Sequence, residues 1–396
     1  MDNLKGIKIL SFNHFLMGPL GIQFLADLGA DVITIEPPQG AFQRKWGAAG
    51  SKRVNNHTMM HIVSNRNKRS LALYLKKEES KKIIFDLVKE TDVVAENFRP
   101  GTLDKLGLGY SKLKSLNPEI IYATANGFGS DGPYKDKPGQ DLIAQAMSGL
   151  SMITSKSGDL PRLVGASVVD HHGAMIYSSA ILAALVKKIR TGKGGIVEVN
   201  LLKSAINLQA ESIISYLNGE KPKSTNMPEN IGSWYHEAPY GTYKTKDGYI
   251  AISLVSLELL FRSLNSIDKL KFKEDEAYTK RNEISKVVAE IIINKTNKEL
   301  IDTFDKNKIW YSEIYNYEKL IKDPQVIHNK DIETFKTESG ENISLITHPV
   351  KYDGNTPKIK ILPQNIGAQT KEILKDLNYT EDEINKLSED KVIKID

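Results

Sequence analysis

The chain has 396 residues, 40% of them apolar and 26% charged; the proportions are those of a globular protein, and the length implies two domains rather than one simple core. Lys and Arg number 54 against 49 Asp and Glu, a net charge of +5 spread along the sequence, which is too diffuse for a nucleic-acid partner but suits a polyanionic small ligand. With no cysteine at all, disulfides, thiolate metal sites and thiol nucleophiles are excluded. No apolar run reaches the length of a membrane span, and MDNLKGIKILSF at the start lacks a signal peptide's apolar core. No membrane partner and a cytoplasmic location are therefore expected.

Ile7–Phe12 reads as a strand, Ile22–Leu28 as a helix and Asp31–Ile35 as a second strand ending at Glu36, a βαβ unit. An acid closing the second strand is a dinucleotide-fold feature, but the first turn has no GxGxxG, which argues against a nicotinamide site. NRNKRSLALYL (65–75) precedes an amphipathic helix over Glu78–Glu90, with Ile83, Ile84, Leu87 and Val88 on one face. A strand at Asp92–Ala95, a short helix around Tyr110–Leu116 and a strand at Ile120–Ala125 follow. This alternation implies a largely parallel sheet with helices on both faces. GFGSDG (127–132) matches GxGxxG, yet Pro133 stops its last glycine from opening a helix, so it reads as a turn. TGKGG (191–195) lies between a helix and the strand Ile196–Val199, the reverse of P-loop order, and is a turn as well.

The chain is organised around Leu163–Met175. There Asp170 stands at or just before the start of Gly173–Ile189, a run apolar on all sides that reads as a buried helix. Lys187, Lys188 and Arg190 form its basic last turn, and Gly192 stops it. On these residues alone Asp170 is either a helix cap or a reactive carboxylate at the mouth of a site. Small or apolar Ala166, Val168 and Val169 would desolvate it, while the helix N-terminus would keep it ionised. Beyond this, Gly219–Asn230 has the character of a linker. A hairpin turning at Asp247–Gly248 follows it. Helical stretches come next at Leu257–Ile267, Asn282–Ile293 and Lys298–Asp305. From about Ile343 the tail returns to apolar strands and a helix near Ala368–Leu377. His57 and His61 have the spacing of a zinc pair without the glutamate of HExxH, and His171–His172 lack a ligand-type partner, so no metal is expected.

Seven stretches in order resemble the family III CoA-transferases of the CaiB/BaiF type. They are LKGIKIL, MGPLGIQFLADLGADVITIEPPQG, NRNKRSLALYL, ENFRPGTLDKLGLGY, GFGSDGPYKDKPGQDLIAQAMSGL, VVDHHGAMIYSSAILAALVKKIRTGKG and NIGAQTKEILKDLNYTEDEI. The resemblance implies an α/β fold whose large Rossmann-like domain, with a parallel sheet, is built from both ends of the chain. A smaller α+β domain is inserted, and two chains interlock as rings in a homodimer. The linker and the returning tail fit that layout, with 1–218 and 330–396 in the large domain and 219–329 as linker and small domain.

The family's members imply an enzyme moving CoA from an acyl-CoA to a small carboxylic acid, with CoA a substrate and no metal required. Asp170 matches the aspartate that attacks the thioester, giving a mixed anhydride and then an aspartyl-CoA thioester; a desolvated carboxylate held against a thioester gains much from proximity. CoA phosphates need cations and backbone N–H groups. The matching CoA-binding positions are His14, Leu16, Met17, Leu73, Lys76, Asn97, Phe98, Arg99, Lys105 and Lys137. Gln140 occupies the second catalytic position, where the family's α-methylacyl-CoA racemases carry a histidine base. It cannot titrate, which disfavours the racemase alternative. Leu16 stands where some transferases have glutamine, and no glycine-rich loop lies between Asn230 and Tyr249. Trp234, Tyr235 and His236 read equally as pocket residues or as a packed aromatic turn.

Overall fold

The computed structural model describes residues 2–47, 52–156, 158–219, 222 and 224–396. The linker read at Gly219–Asn230 thus lies partly outside the described residues, at 220, 221 and 223. The chain forms two compact units. The larger comprises Met1–Ala144, Ser167–Leu208 and Pro324–Asp396, and the smaller Gln145–Ala166 and Gln209–Asp323. By contacts, 145–166 and 209–218 thus group with the second unit.

Beside a separate antiparallel pair that joins Ile332–Lys336 to Asn342–Ile346, the larger unit has a main sheet of β1 (Lys8–Phe12), β2 (Asp31–Glu36), β3 (Arg69–Leu73), β4 (Val93–Glu96), β5 (Ile121–Asn126) and β6 (Gly195–Asn200). They pair in parallel in the order β3-β2-β1-β4-β5-β6, and the tail strand Ile393–Lys394 adds antiparallel to β3. Strands buried on both faces explain the near-continuous apolar runs Ile9–Phe12, Val32–Ile35 and Val93–Ala95. Because the strands run in parallel, their carboxyl ends share one edge. Strand order reverses between β1 and β4, where such sheets open a ligand crevice. The register sets Phe12 opposite Glu96 at that point.

Two helices position what stands at this edge. The first spans Met17–Asp27, starting well before the expected Ile22. Pro19 is tolerated because N–H groups in a first turn have no intrahelical partner. The second is the long helix Val168–Thr191, with Gly192 in the left-handed region at its end. It is not buried on all sides as its composition suggested. Val169, Gly173, Ala174, Tyr177, Ser178, Ile181 and Leu185 form one buried face, whereas Met175, Val186 and Ile189 are exposed. Helical spacing lets only one stripe face the sheet and the first helix, so the other apolar stripe stays uncovered within one chain. Tyr177 Oη donates to the Ala123 carbonyl on β5 at 2.7 Å, and Ser178 Oγ donates to the Gly21 carbonyl at 2.7 Å. A Cβ on Gly21 would stand 2.9 Å from the Ala174 carbonyl oxygen, main chain of the long helix, so glycine suits this approach of the two helices; on the other side Gly173 faces the Met17 side chain, with Sδ 2.5 Å from where a Cβ would stand.

The smaller unit has a three-stranded antiparallel sheet of Gly241–Lys244, Tyr249–Ile252 and Tyr311–Glu313, the first two forming the expected hairpin. Helices Leu257–Ser263, Arg281–Ile292 and Asn297–Lys306 close its core over Tyr243, Phe261, Val288 and Phe304. No helix among the described residues is long and apolar enough to cross a membrane.

Candidate active site

The β1–β4 switch point, where such a topology calls for a ligand crevice, is bridged by a reciprocal clamp. Asn97 Oδ1 accepts the His14 amide at 2.8 Å, and Asn97 Nδ2 donates to the His14 carbonyl at 2.7 Å. The register dictates this meeting, since each residue follows the end of its strand. His14 and Phe98 rings lie 4.9 Å apart. Burial pushes the His14 imidazole down to about 4, so it is neutral. The turn that presents Asn97, Phe98 and Arg99 is fixed by Glu96, whose Oε2 accepts the Phe98 amide at 2.7 Å. Burial pushes this carboxyl up to about 7. Arg99 is exposed and makes no ion pair among the described residues, as a guanidinium kept for an anion would.

The remaining positions divide by burial. Lys76, Lys105 and Lys137 are exposed, Lys137 lying 4.1 Å over the Tyr134 ring. Leu16, Met17 and Leu73 are buried. The Leu73 side chain belongs to the core cluster, so only its main chain is available to a ligand. Met17 instead couples the crevice to the long helix through Gly173.

Asp170 occupies the third position of the long helix, inside its first turn. It is not the cap: Ser167 stands at the cap position without a side-chain bond, and Asp141, the first residue of the helix Asp141–Met147, performs the function from a segment distant in sequence. Asp141 Oδ1 accepts the amides of Val169 at 2.8 Å and Asp170 at 3.1 Å. The Asp170 carboxyl is half-buried and makes no hydrogen bond among the described residues. Burial, reinforced by the Asp141 charge, pushes it up to about 7. The expectation that the helix N-terminus would keep it ionised is therefore corrected, since the amide donors that would do so already serve Asp141. Gln140 is exposed beside Asp141 and accepts the Ala144 amide on its carbonyl at 3.0 Å. The GFGSDG turn steadies this segment: a Cβ on Gly127 would come within 2.7 Å of Gly139 Cα.

Asp141 and Glu96 were not singled out from the sequence, although both lie in stretches quoted above. The available signal was an aspartate opening a helix pattern, and an acid at a strand's carboxyl end. Glu36, the acid that ends β2, is engaged internally. Arg44 Nε and Nη2 donate to its two oxygens at 2.6 Å each, and Ser70 Oγ donates at 2.7 Å. The buried His57 and His61 rings lie 4.9 Å apart, and among the described residues no group of three or more potential ligands is placed to hold a metal. In the smaller unit Trp234 is buried and donates to Ser212 Oγ at 2.7 Å, and His236 stacks on Tyr240 at 4.1 Å. That segment is a packed aromatic turn.

The CoA-transferase family III profile matches residues 4–370. Succinyl-CoA:glutarate CoA-transferase of Homo sapiens is 31% identical, over 98% of this chain and 90% of its own. (R)-2-hydroxy-4-methylpentanoate CoA-transferase of Clostridioides difficile is 30% identical, over 99% of both chains. A crystal structure of a CaiB/BaiF family protein from Brucella suis matches with a TM-score of 0.82 at 27% identity, over 94% of this chain and 99% of that one. Profile match, whole-length similarity and likeness of fold agree: the chain belongs to the family III CoA-transferases.

Proposed function

We propose that this protein moves CoA from an acyl-CoA donor to a small carboxylic acid, with Asp170 as the nucleophile. The observation that supports this most is the half-buried Asp170 carboxyl, without a hydrogen bond of its own, at the start of the helix that Met17 couples to the crevice. An Asp170 oxygen attacks the thioester carbonyl carbon and the C–S bond breaks, its electron pair leaving on sulfur as CoA thiolate. A mixed anhydride remains. The thiolate then attacks the Asp170 carbonyl, releasing the donor acid as carboxylate and forming the aspartyl-CoA thioester. The incoming acid reverses both steps. A carboxyl near 7 divides between protonated and ionised forms at neutral pH, and the ionised form attacks.

Arg99, Lys76, Lys105 and Lys137 supply cations for the CoA phosphates, and the His14–Asn97 clamp with Phe98 shapes the crevice wall. Gln140 beside Asp141 offers an amide to the reacting carboxylates. The acids named for the relatives, succinate with glutarate and a branched 2-hydroxy acid, make short dicarboxylic and hydroxy acids the first substrates to test. The proposal includes self-association. Exposed Met175, Val186 and Ile189 on the long helix, with Ile196 on edge strand β6 and Ile206 beyond it, form apolar surface that a second copy would cover. Light scattering at micromolar concentration should give a dimer.

With succinyl-CoA as donor, a panel of such acids should yield a new CoA ester. Failure with every acid, joined to deuterium uptake at the α-carbon of a 2-methylacyl-CoA in heavy water, would overturn the reading in favour of an isomerase. Gln140 cannot exchange a proton, so no uptake is expected.

A further inference from the structure

A carboxylate at the third position of a helix can fold back onto a backbone N–H at the helix start, as Glu299 does onto the Thr296 amide and Glu383 onto the Thr380 amide in their capping boxes. Asp170 holds that position and does not. Its turn is already capped by Asp141, which takes the second and third amides on a single oxygen. Ser167, at the cap position, contributes no side-chain bond.

We propose that Asp141 is a positioning residue for the transfer: by taking the amides of Val169 and Asp170 it keeps the Asp170 carboxylate free to attack, and its charge opposes negative charge on Asp170. The inference rests on Asp170 being the nucleophile and deepens that reading. When the Asp170 oxygen bonds to the thioester carbon, the negative charge leaves on the CoA sulfur. The repulsion from Asp141 is present before that step and relieved after it, so it favours attack.

Other charged groups leave this pair dominant. On the same turn, exposed His171 binds the Ser167 carbonyl through Nδ1, and half-buried His172 binds Asn207 Oδ1 through Nε2. Helix Leu201–Leu208, packed alongside, brings exposed Lys203. The first helix brings only Asp27 at its far end, paired with Arg66 at 2.7 Å, and strand β6, also packed on the long helix, brings exposed Glu198, which accepts from Asn126 Nδ2 at 3.4 Å. For Asp170 itself, Asp141 is the charge that acts with burial in raising the carboxyl.

Two variants separate positioning from charge. Asp141→Asn keeps an oxygen for the two amides and removes the charge, whereas Asp141→Ala removes both. The Asp170 carboxyl is titrated by ¹³C NMR of aspartate-labelled protein, and transfer is followed against pH. In Asp141→Asn the Asp170 midpoint and the acid limb of kcat/KM should both move down by about one unit, with the KM for acyl-CoA changed less than about twofold. Asp141→Ala should transfer at least about tenfold more slowly at pH 8.5, because the freed amides bind the Asp170 carboxylate. If Asp141→Ala does not fold, the Asp141→Asn titration alone decides. Midpoints unmoved in Asp141→Asn, with transfer unchanged, would overturn the inference and leave Asp141 a plain cap. A midpoint that moves while the acid limb stays would uphold the pairing and overturn Asp170 as the nucleophile instead.

Discussion

Glu36 and Asp170 are both acids withdrawn from water in the larger unit, and their surroundings are opposite. At the end of β2, Glu36 meets the two-nitrogen fork of Arg44, the Ser70 hydroxyl and the Ala41 amide. Each of these partners is a donor, and Arg44 is a counter-ion, as a buried acid requires if it is to support a fold. Asp170 has no such partner among the described residues, and the charge that acts on it is another carboxylate, that of Asp141. A satisfied buried acid belongs to the framework. An unsatisfied one costs stability, and its persistence points to chemistry.

The largest expected effect breaks the comparison at its reactive end. Asp170→Asn should lower transfer by at least about 10³-fold, as loss of a covalent nucleophile does. The same variant should be more stable than the wild type at pH 8. The raised pKa means the folded state holds this proton more tightly than the unfolded one. The wild type therefore loses stability as pH climbs from about 4 to about 7, and carries the full cost above that. Allowing for partial solvent contact, thermal melts at pH 8 should show a gain of about 2 kcal/mol, and melts at pH 4 almost none. A loss of stability at pH 8 would assign Asp170 to the framework with Glu36.

Glu36→Gln should do the converse. Leaving Arg44 buried without its counter-charge should cost about 3 kcal/mol in denaturant unfolding, with kcat of the folded fraction little changed. Arg99→Ala comes next. Removing one exposed charge-assisted contact to CoA should cost about 1.5–3 kcal/mol, seen as a raised KM for both CoA esters at near-constant kcat; an unchanged KM would take Arg99 out of the site. The pH profile of the wild type needs no substitution at all. Below about pH 7, kcat/KM should rise about tenfold per unit and then level off, because only ionised Asp170 attacks. A profile flat from pH 5 to 8 would contradict the environment described for Asp170.

Much of this was legible in the sequence, and for identifiable reasons. Strands β1, β2, β4 and β5 announce themselves by apolar runs with turn residues on either side. The helix Tyr110–Leu116 was placed with its observed ends. Asp170 stood out as an acid at the head of an apolar run. The opening of the first helix was hidden because Gly18, Pro19 and Gly21 argue locally against helix, and tertiary packing against Gly173 and Ala174 overrides them. The one-sided burial of the long helix was hidden too, since composition does not tell a stripe covered by this chain from one left bare. The Asp141 cap joins residues far apart in sequence, and no local pattern reports such a bond. Helix-start rules look for the cap at the adjacent position, where Ser167 stands unused.

The central claim is tested most directly by trapping the intermediate. Wild-type protein mixed with acyl-CoA and no acceptor acid, then quenched with hydroxylamine, should carry a hydroxamate on the Asp170 side chain, located by peptide mass spectrometry. The Asp170→Asn protein should carry none. A wild-type Asp170 peptide that stays unmodified while transfer proceeds at full rate would contradict covalent catalysis at this residue.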